Sequence, residues 1–201
     1  MSDLARRLTA VLQTEGRASS DYDLNADVVL PEGRKLRDAA VLVGVVERPE
    51  GAGVVLTKRS SALRHHPGQI AFPGGKVEPN DAGLEAAALR EAHEEIGLAA
   101  EMTQILGTLP PHETVTGFQV TPVLTMVSPA FTATPDQGEV AEVFEAPLNH
   151  LMRPENYLIE GRNWRGQRRR YFTVPWGPYY IWGATARMLR ALADRMEHAK
   201  D

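Results

Sequence analysis

The chain predicts an α/β fold, a mixed β-sheet sandwiched between α-helices. Segments of strand character and segments of helical spacing are interleaved along its 201 residues, the pattern of a layered domain. Hydrophobic residues make up 43% and charged residues 24%, enough apolar material for one sizeable core.

The elements follow in order. Leu4, Leu8, Val11 and Leu12 mark one face of a short amphipathic helix over residues 3–14. Residues 16–37 are polar, contain Pro31 and Gly33, and read as a linker. Residues 39–47 and 53–58 are apolar runs joined by Arg48-Pro49-Glu50-Gly51, which predicts a hairpin. A helix is expected over residues 81–96, with Asp81 as its N-cap and Gly97 as its stop. Strands are expected at residues 105–109, 119–127 and 140–144, then a short helix over 148–152 ending at Pro154. Residues 157–159 and 171–174 form a second hairpin, and residues 181–197, rich in Ala, Leu, Met and Arg without Pro, close the chain with a helix.

Composition removes several function classes. There is no cysteine, which excludes disulfides, thiolate nucleophiles and Cys-ligated zinc. A net charge of −4 offers no general reason to expect a nucleic-acid partner. The first 16 residues carry Arg6, Arg7 and Glu15 but no apolar core of a secretory signal, and no apolar run approaches a membrane span. A cytoplasmic protein without membrane attachment is the expectation.

The chemistry concentrates in Arg90-Glu91-Ala92-His93-Glu94-Glu95-Ile96-Gly97-Leu98. Glu91, Glu94 and Glu95 stand at i, i+3, i+4 and crowd one helix face, roughly opposite an apolar stripe of Leu89, Ala92 and Ile96. They lie in the last turns, where the helix dipole disfavours each negative charge by about 0.3–1 kcal/mol. A solvated acidic helix end is one reading; clustered hard oxygens that hold Mg2+ or Mn2+ are the other. Upstream, Phe72-Pro73-Gly74-Gly75-Lys76 lets backbone approach a ligand closely, and the order becomes strand, Gly-rich loop, helix, carboxylate cluster.

Gly75 followed by residues 90–98 resembles the Nudix box, the signature of hydrolases of nucleoside diphosphates linked to another moiety. Asp81 stands where that box carries Glu, and the interval to Arg90 is one residue longer. Both departures occur in the coenzyme A pyrophosphatase branch. Its second signature is similar to Leu56-Thr57-Lys58-Arg59-Ser60, Arg64, Gly68 and Phe72-Pro73-Gly74-Gly75, with Val55 where Leu is usual. Thr116-Gly117-Phe118-Gln119-Val120-Thr121-Pro122-Val123 also resembles this branch, so the likeness spans most of residues 38–150.

The resemblance implies the Nudix fold over residues 38–201, with residues 1–37 as an N-terminal helix and linker of the same unit. It implies Glu91 and Glu95 as metal ligands, joined by the Gly75 carbonyl, while Glu94 ligates metal or helps deprotonate water. Arg90 would hold Glu94, and Glu139 would supply a further acid from a loop. Arg59, Arg64 and Gly74 would meet the substrate; His65 and His66 beside them either contact phosphate or are simply solvated. The reaction implied is cleavage of coenzyme A to 3′,5′-ADP and 4′-phosphopantetheine. The rivals are another dinucleotide such as ADP-ribose or NADH, and a non-catalytic ligand-binding module. The partner expected is a small molecule, and a homo-oligomer stays open.

One composition stands apart. Residues 161–170 hold Arg162, Arg165, Arg168, Arg169 and Arg170 and no acid, a local charge of +5. A solvated loop, a nucleic-acid or protein contact, and recognition of coenzyme A's 3′-phosphate all fit it.

Overall fold

The apolar run near residue 40 is continuous because its strand is buried on both faces. In the computed structural model, which describes residues 1–25, 27–30, 33–164 and 166–199, the chain runs α1 (Asp3–Leu12), β1 (Ser19–Ser20), β2 (Arg37–Arg48), β3 (Gly51–Arg59), β4 (Ile70–Ala71), β5 (Gly74–Lys76) and α2 (Leu84–Ile96). It continues β6 (Thr103–Thr108), β7 (His112–Glu113), β8 (Phe118–Val127), β9 (Val140–Pro147), α3 (Leu148–Leu151), β10 (Leu158–Trp164), β11 (Gln167–Thr173) and α4 (Gly183–His198). Strand alternation divides β2 between two layers. Ala40, Leu42 and Val46 pack with Ala88, Ala92 and Ile96 of α2, whereas Ala39, Val43 and Val45 pack with Leu8 and Val11 of α1 and Leu189 and Leu192 of α4.

The sheet is mixed: β2 pairs parallel with β8 and antiparallel with β3 and β5. The β2–β3 hairpin is paired only near its turn, through Val45↔Val54 to Arg48↔Gly51. Further along, β5 takes β3's place beside β2, with Ala40↔Gly75 and Val41↔Gly74, while β3 turns to β4 and β9. That division inserts the paired glycines into the sheet directly beside α2.

Several boundaries differ from the sequence reading. The α2 helix starts at Leu84 rather than at 81, and its N-cap is Gly83 at φ +143 with no side-chain cap, so Asp81 does not cap it. Strands β1, β4, β5 and β7 are two or three residues long, too short to show a period. The second hairpin extends to Trp164 and Gln167, which moves its arginines from a loop into strands; Arg165 lies outside the described residues. Among the described residues, no helix is long and apolar enough to cross a membrane.

Candidate active site

Gly97 ends α2 in the left-handed conformation at φ +69, its amide bonded to the His93 carbonyl at 2.9 Å and the Leu98 amide to the Ala92 carbonyl at 3.3 Å. The 128–139 loop covers the helix end: Asp136 and Thr134 amides bond the Glu95 and Ile96 carbonyls at 3.0 and 2.9 Å. Three glutamates on the last turns meet three environments. Glu94 is exposed and Glu91 is partly buried, but Glu95 is only 4% exposed. The expected separation of acidic and apolar faces therefore fails at Glu95, which borders Ala92 and Ile96 on the wheel and shares their burial. Its Oε2 accepts the Gly74 amide at 3.1 Å, and Arg59 Nη1 stands 4.0 Å from Oε1. Burial, with help from Glu91 and Glu139, pushes its carboxyl up to about 7 against the pull of the Gly74 amide and Arg59. Burial raises Glu91 as well, with Arg90 opposing.

Arg90 binds more than the expected Glu94. It donates to Glu94 Oε2 at 3.1 Å and Glu91 Oε1 at 3.0 Å, to the Lys76 carbonyl at 3.0 Å, and in two-pronged fashion to Asp81 at 3.0 and 3.1 Å. Asp81 also accepts the Glu78 amide at 2.7 Å, and the Arg90 guanidinium holds its carboxyl below the usual range. The residue read as a helix cap is thus a tether for Arg90. Nine positions separate the two, and no helical or strand period links them, so the sequence carried no sign of the pair.

The glycines are spatial requirements. A Cβ on Gly74, whose φ is +154, would stand 2.6 Å from Val41 Cα, and one on Gly75 would fall on the Glu91 carboxylate. Glu139 arrives from the covering loop: the Ser60 amide bonds its carbonyl at 2.8 Å, and its charge raises both Glu91 and Glu95.

The donor set fits a divalent cation. Asp81, Glu91, Glu94 and Glu95 face two guanidinium groups, Arg59 and Arg90, with the Glu139 charge adding to the cluster, and Glu91 and Glu95 are held above their ordinary range by burial. A hard cation against the Gly75 backbone would relieve that strain. Among the described residues, no three acidic or histidine groups are already drawn around one point, and Glu91 accepts from Arg90.

The remaining residues fall in two places. Arg59 ends β3 at a register shift, while Arg64 lies exposed in the loop beyond it with no ion pair among the described residues. In β10–β11, the pairs Arg162↔Arg169, Gly161↔Arg170 and Asn163↔Arg168 divide the cluster between two faces of the ribbon. Arg162 stacks over Trp182 at 5.6 Å, and the Asn25 side chain pairs with both backbone groups of Arg170, at 2.8 and 2.9 Å. None of these arginines is among the main influences on Glu91 or Glu95.

The chain is similar to known proteins. The profile of the NUDIX domain matches residues 36–170. The uncharacterized Nudix hydrolase NudL of Enterobacter sp. (strain 638) is 48% identical over 157 residues, covering 78% of this chain and 81% of that protein. Its counterpart in Klebsiella pneumoniae (strain 342) is 46% identical over 185 residues, 87% and 96% of the two chains. The crystal structure of MutT protein from Methanosarcina mazei Go1 shares the fold, with a TM-score of 0.53 at 17% identity over 85% of this chain and 99% of that one.

Proposed function

The chain belongs to the NUDIX domain family, and from that premise we propose that it is a metal-dependent hydrolase of coenzyme A and its derivatives, releasing 3′,5′-ADP and 4′-phosphopantetheine. The observation that carries the substrate class is the placement of the 56–75 segment. It folds so that Arg59 reaches toward Glu95 while Gly74 hydrogen-bonds the same carboxylate. Residues of the coenzyme A-type signature thus touch the acidic helix at Glu95, which supports a shared site.

When bound, Mg2+ or Mn2+ neutralises charge on the phosphoryl oxygens and acidifies a water. Glu91, Glu95 and the Gly75 carbonyl would hold it. Glu94 is solvent-facing and held by Arg90, so it is placed to accept the proton of the attacking water, with Glu139 as the other exposed acid nearby. Arg59 and Arg64 bind the diphosphate, guanidinium being suited to paired phosphate oxygens. The buried Gly74–Glu95 bond keeps the loop against the helix while charge shifts on the substrate.

Product analysis tests this reading. The enzyme is incubated with coenzyme A, ADP-ribose and NADH in Mg2+, and in parallel with EDTA. We expect 3′,5′-ADP and 4′-phosphopantetheine from coenzyme A, at a kcat/KM at least tenfold above ADP-ribose, and no turnover in EDTA. Equal or better use of ADP-ribose would defeat the coenzyme A assignment, and turnover in EDTA the metal.

A further inference from the structure

His66 is the only non-glycine residue with a left-handed backbone among those described, at φ +56. Such a conformation is strained for a residue with a Cβ, although His tolerates it better than most, and strain of this kind gathers where a side chain must be aimed. The loop enforces it. Gly68 N–H bonds the Arg59 carbonyl at 3.1 Å, Arg59 N–H the Gln69 carbonyl at 2.9 Å, and Gln69 N–H the His66 carbonyl at 3.3 Å. These bonds cinch the loop onto the end of β3, and the imidazole feels the charges of Arg59, His65 and Asp21.

Asp21 is already engaged, with Oδ1 3.1 Å from His112 Nε2 and Oδ2 accepting the Val115 amide at 2.9 Å. Arg59 is paired only loosely, with Glu95 Oε1 4.0 Å from its Nη1, and its buried Nε has no partner among the described residues. The loop bonded to the Arg59 backbone thus carries an imidazole next to a guanidinium that Glu95 engages only loosely and that keeps an unused donor. We propose that His66 is a substrate-contacting residue whose ring N–H, aimed by the strained loop, bonds a non-bridging oxygen of the diphosphate alongside Arg59. Although His66 is exposed, partial desolvation and then the Arg59 charge lower its pKa from the usual value, which favours the neutral imidazole with its one ring N–H. This rests on the diphosphate-hydrolase reading; His65, next in sequence, has ordinary backbone and is not assigned the role.

The test uses the full chain, His66→Gly and His66→Asn, and imidodiphosphate, which resists hydrolysis. Calorimetric affinity in Mg2+, melting temperature, and kcat and KM for coenzyme A are measured together. His66→Gly removes strain and donor at once. It should melt at or above wild type yet bind imidodiphosphate at least tenfold more weakly, with the loss in kcat/KM mainly in KM. Asn tolerates the same backbone and keeps an N–H, so it should recover part of that loss. Unchanged affinity in His66→Gly, or affinity that falls only together with melting temperature, overturns the proposal. Binding that depends on His66 in a protein that hydrolyses no dinucleotide upholds the contact and overturns the hydrolase reading.

Discussion

The end of α2 and the β10–β11 ribbon both concentrate charge, but they treat it in opposite ways. At α2, carboxylates are withdrawn from water at the unfavourable pole of a helix dipole, and Glu95 is 4% exposed. In the ribbon, Arg162, Arg168 and Arg170 are exposed, so their charge costs little to keep. Charge that the fold holds against its own stability calls for a role in chemistry; charge left in solvent does not. This difference makes the acidic helix the stronger candidate and the arginines the weaker one, although the ribbon has the more unusual composition.

Glu95→Gln would break the comparison most decisively. We expect kcat to fall by about three powers of ten or more, because a ligand to the charge-neutralising ion is lost. The metal-free protein should move in the other direction. Glu95 binds its proton more tightly folded, at about 7, than unfolded, near 4.5. Native protein then holds more protons than unfolded across that interval, and wild-type stability falls as pH rises from about 4.5 to 7. The Gln variant should escape the fall and be more stable in EDTA at pH 8, by up to about 3 kcal/mol. Melting curves at pH 5 and pH 8 check it: a variant less stable than wild type at pH 8 would mean Glu95 is a favourable structural ion pair.

Two neighbouring glycines sharpen the same contrast between fold and chemistry. Gly74→Ala sets a methyl against Val41 backbone at a φ of +154, and a loss of roughly 1–3 kcal/mol is expected. For Gly75→Ala the nearest atoms are those of the Glu91 carboxylate, the far end of a side chain that can swing away. It should leave the melting temperature within a few degrees of wild type, lower kcat, and raise the Mg2+ concentration for half-maximal rate at least tenfold. Equal melting losses in the two variants would remove the distinction.

What the sequence revealed depended on how local each cause was. The α/β layering, the Gly97 stop and the Arg90–Glu94 contact follow from neighbours within one element, and all three are present. The burial of Glu95 was not legible, because it is imposed by β5, a three-residue strand inserted where the β2–β3 hairpin divides. Asp81 looked like a cap, since its type and position suited one, but its partner lies nine residues away across a turn. The bonding of Asp21 to His112, and the clasp of Asn25 on Arg170, join segments 91 and 145 residues apart, and no motif announced either. Pleating also regrouped the arginines: three consecutive residues, Arg168 to Arg170, cannot act from one face of a strand.

That regrouping defines the smallest expected effect. If the ribbon recognises the substrate's 3′-phosphate, it does so from one face. Arg168 and Arg170 share one, and Arg162 and Arg169 the other, where Arg162 is occupied over Trp182. The double change Arg168→Ala with Arg170→Ala should therefore lower kcat/KM for coenzyme A by about one to two powers of ten, the value of a charge-assisted phosphate contact of roughly 1.5–3 kcal/mol. 3′-Dephospho-coenzyme A lacks only that group and should be little affected. Melting temperature should barely move, since exposed substitutions of this kind usually fall within about 0.5 kcal/mol. Arg162→Ala, by contrast, should leave the ratio of the two substrates alone while loosening the ribbon on Trp182. A ratio that responds to Arg162 and ignores Arg168 and Arg170 would reverse the face assignment. A ratio that responds to none would leave the ribbon's charge as solvated surface.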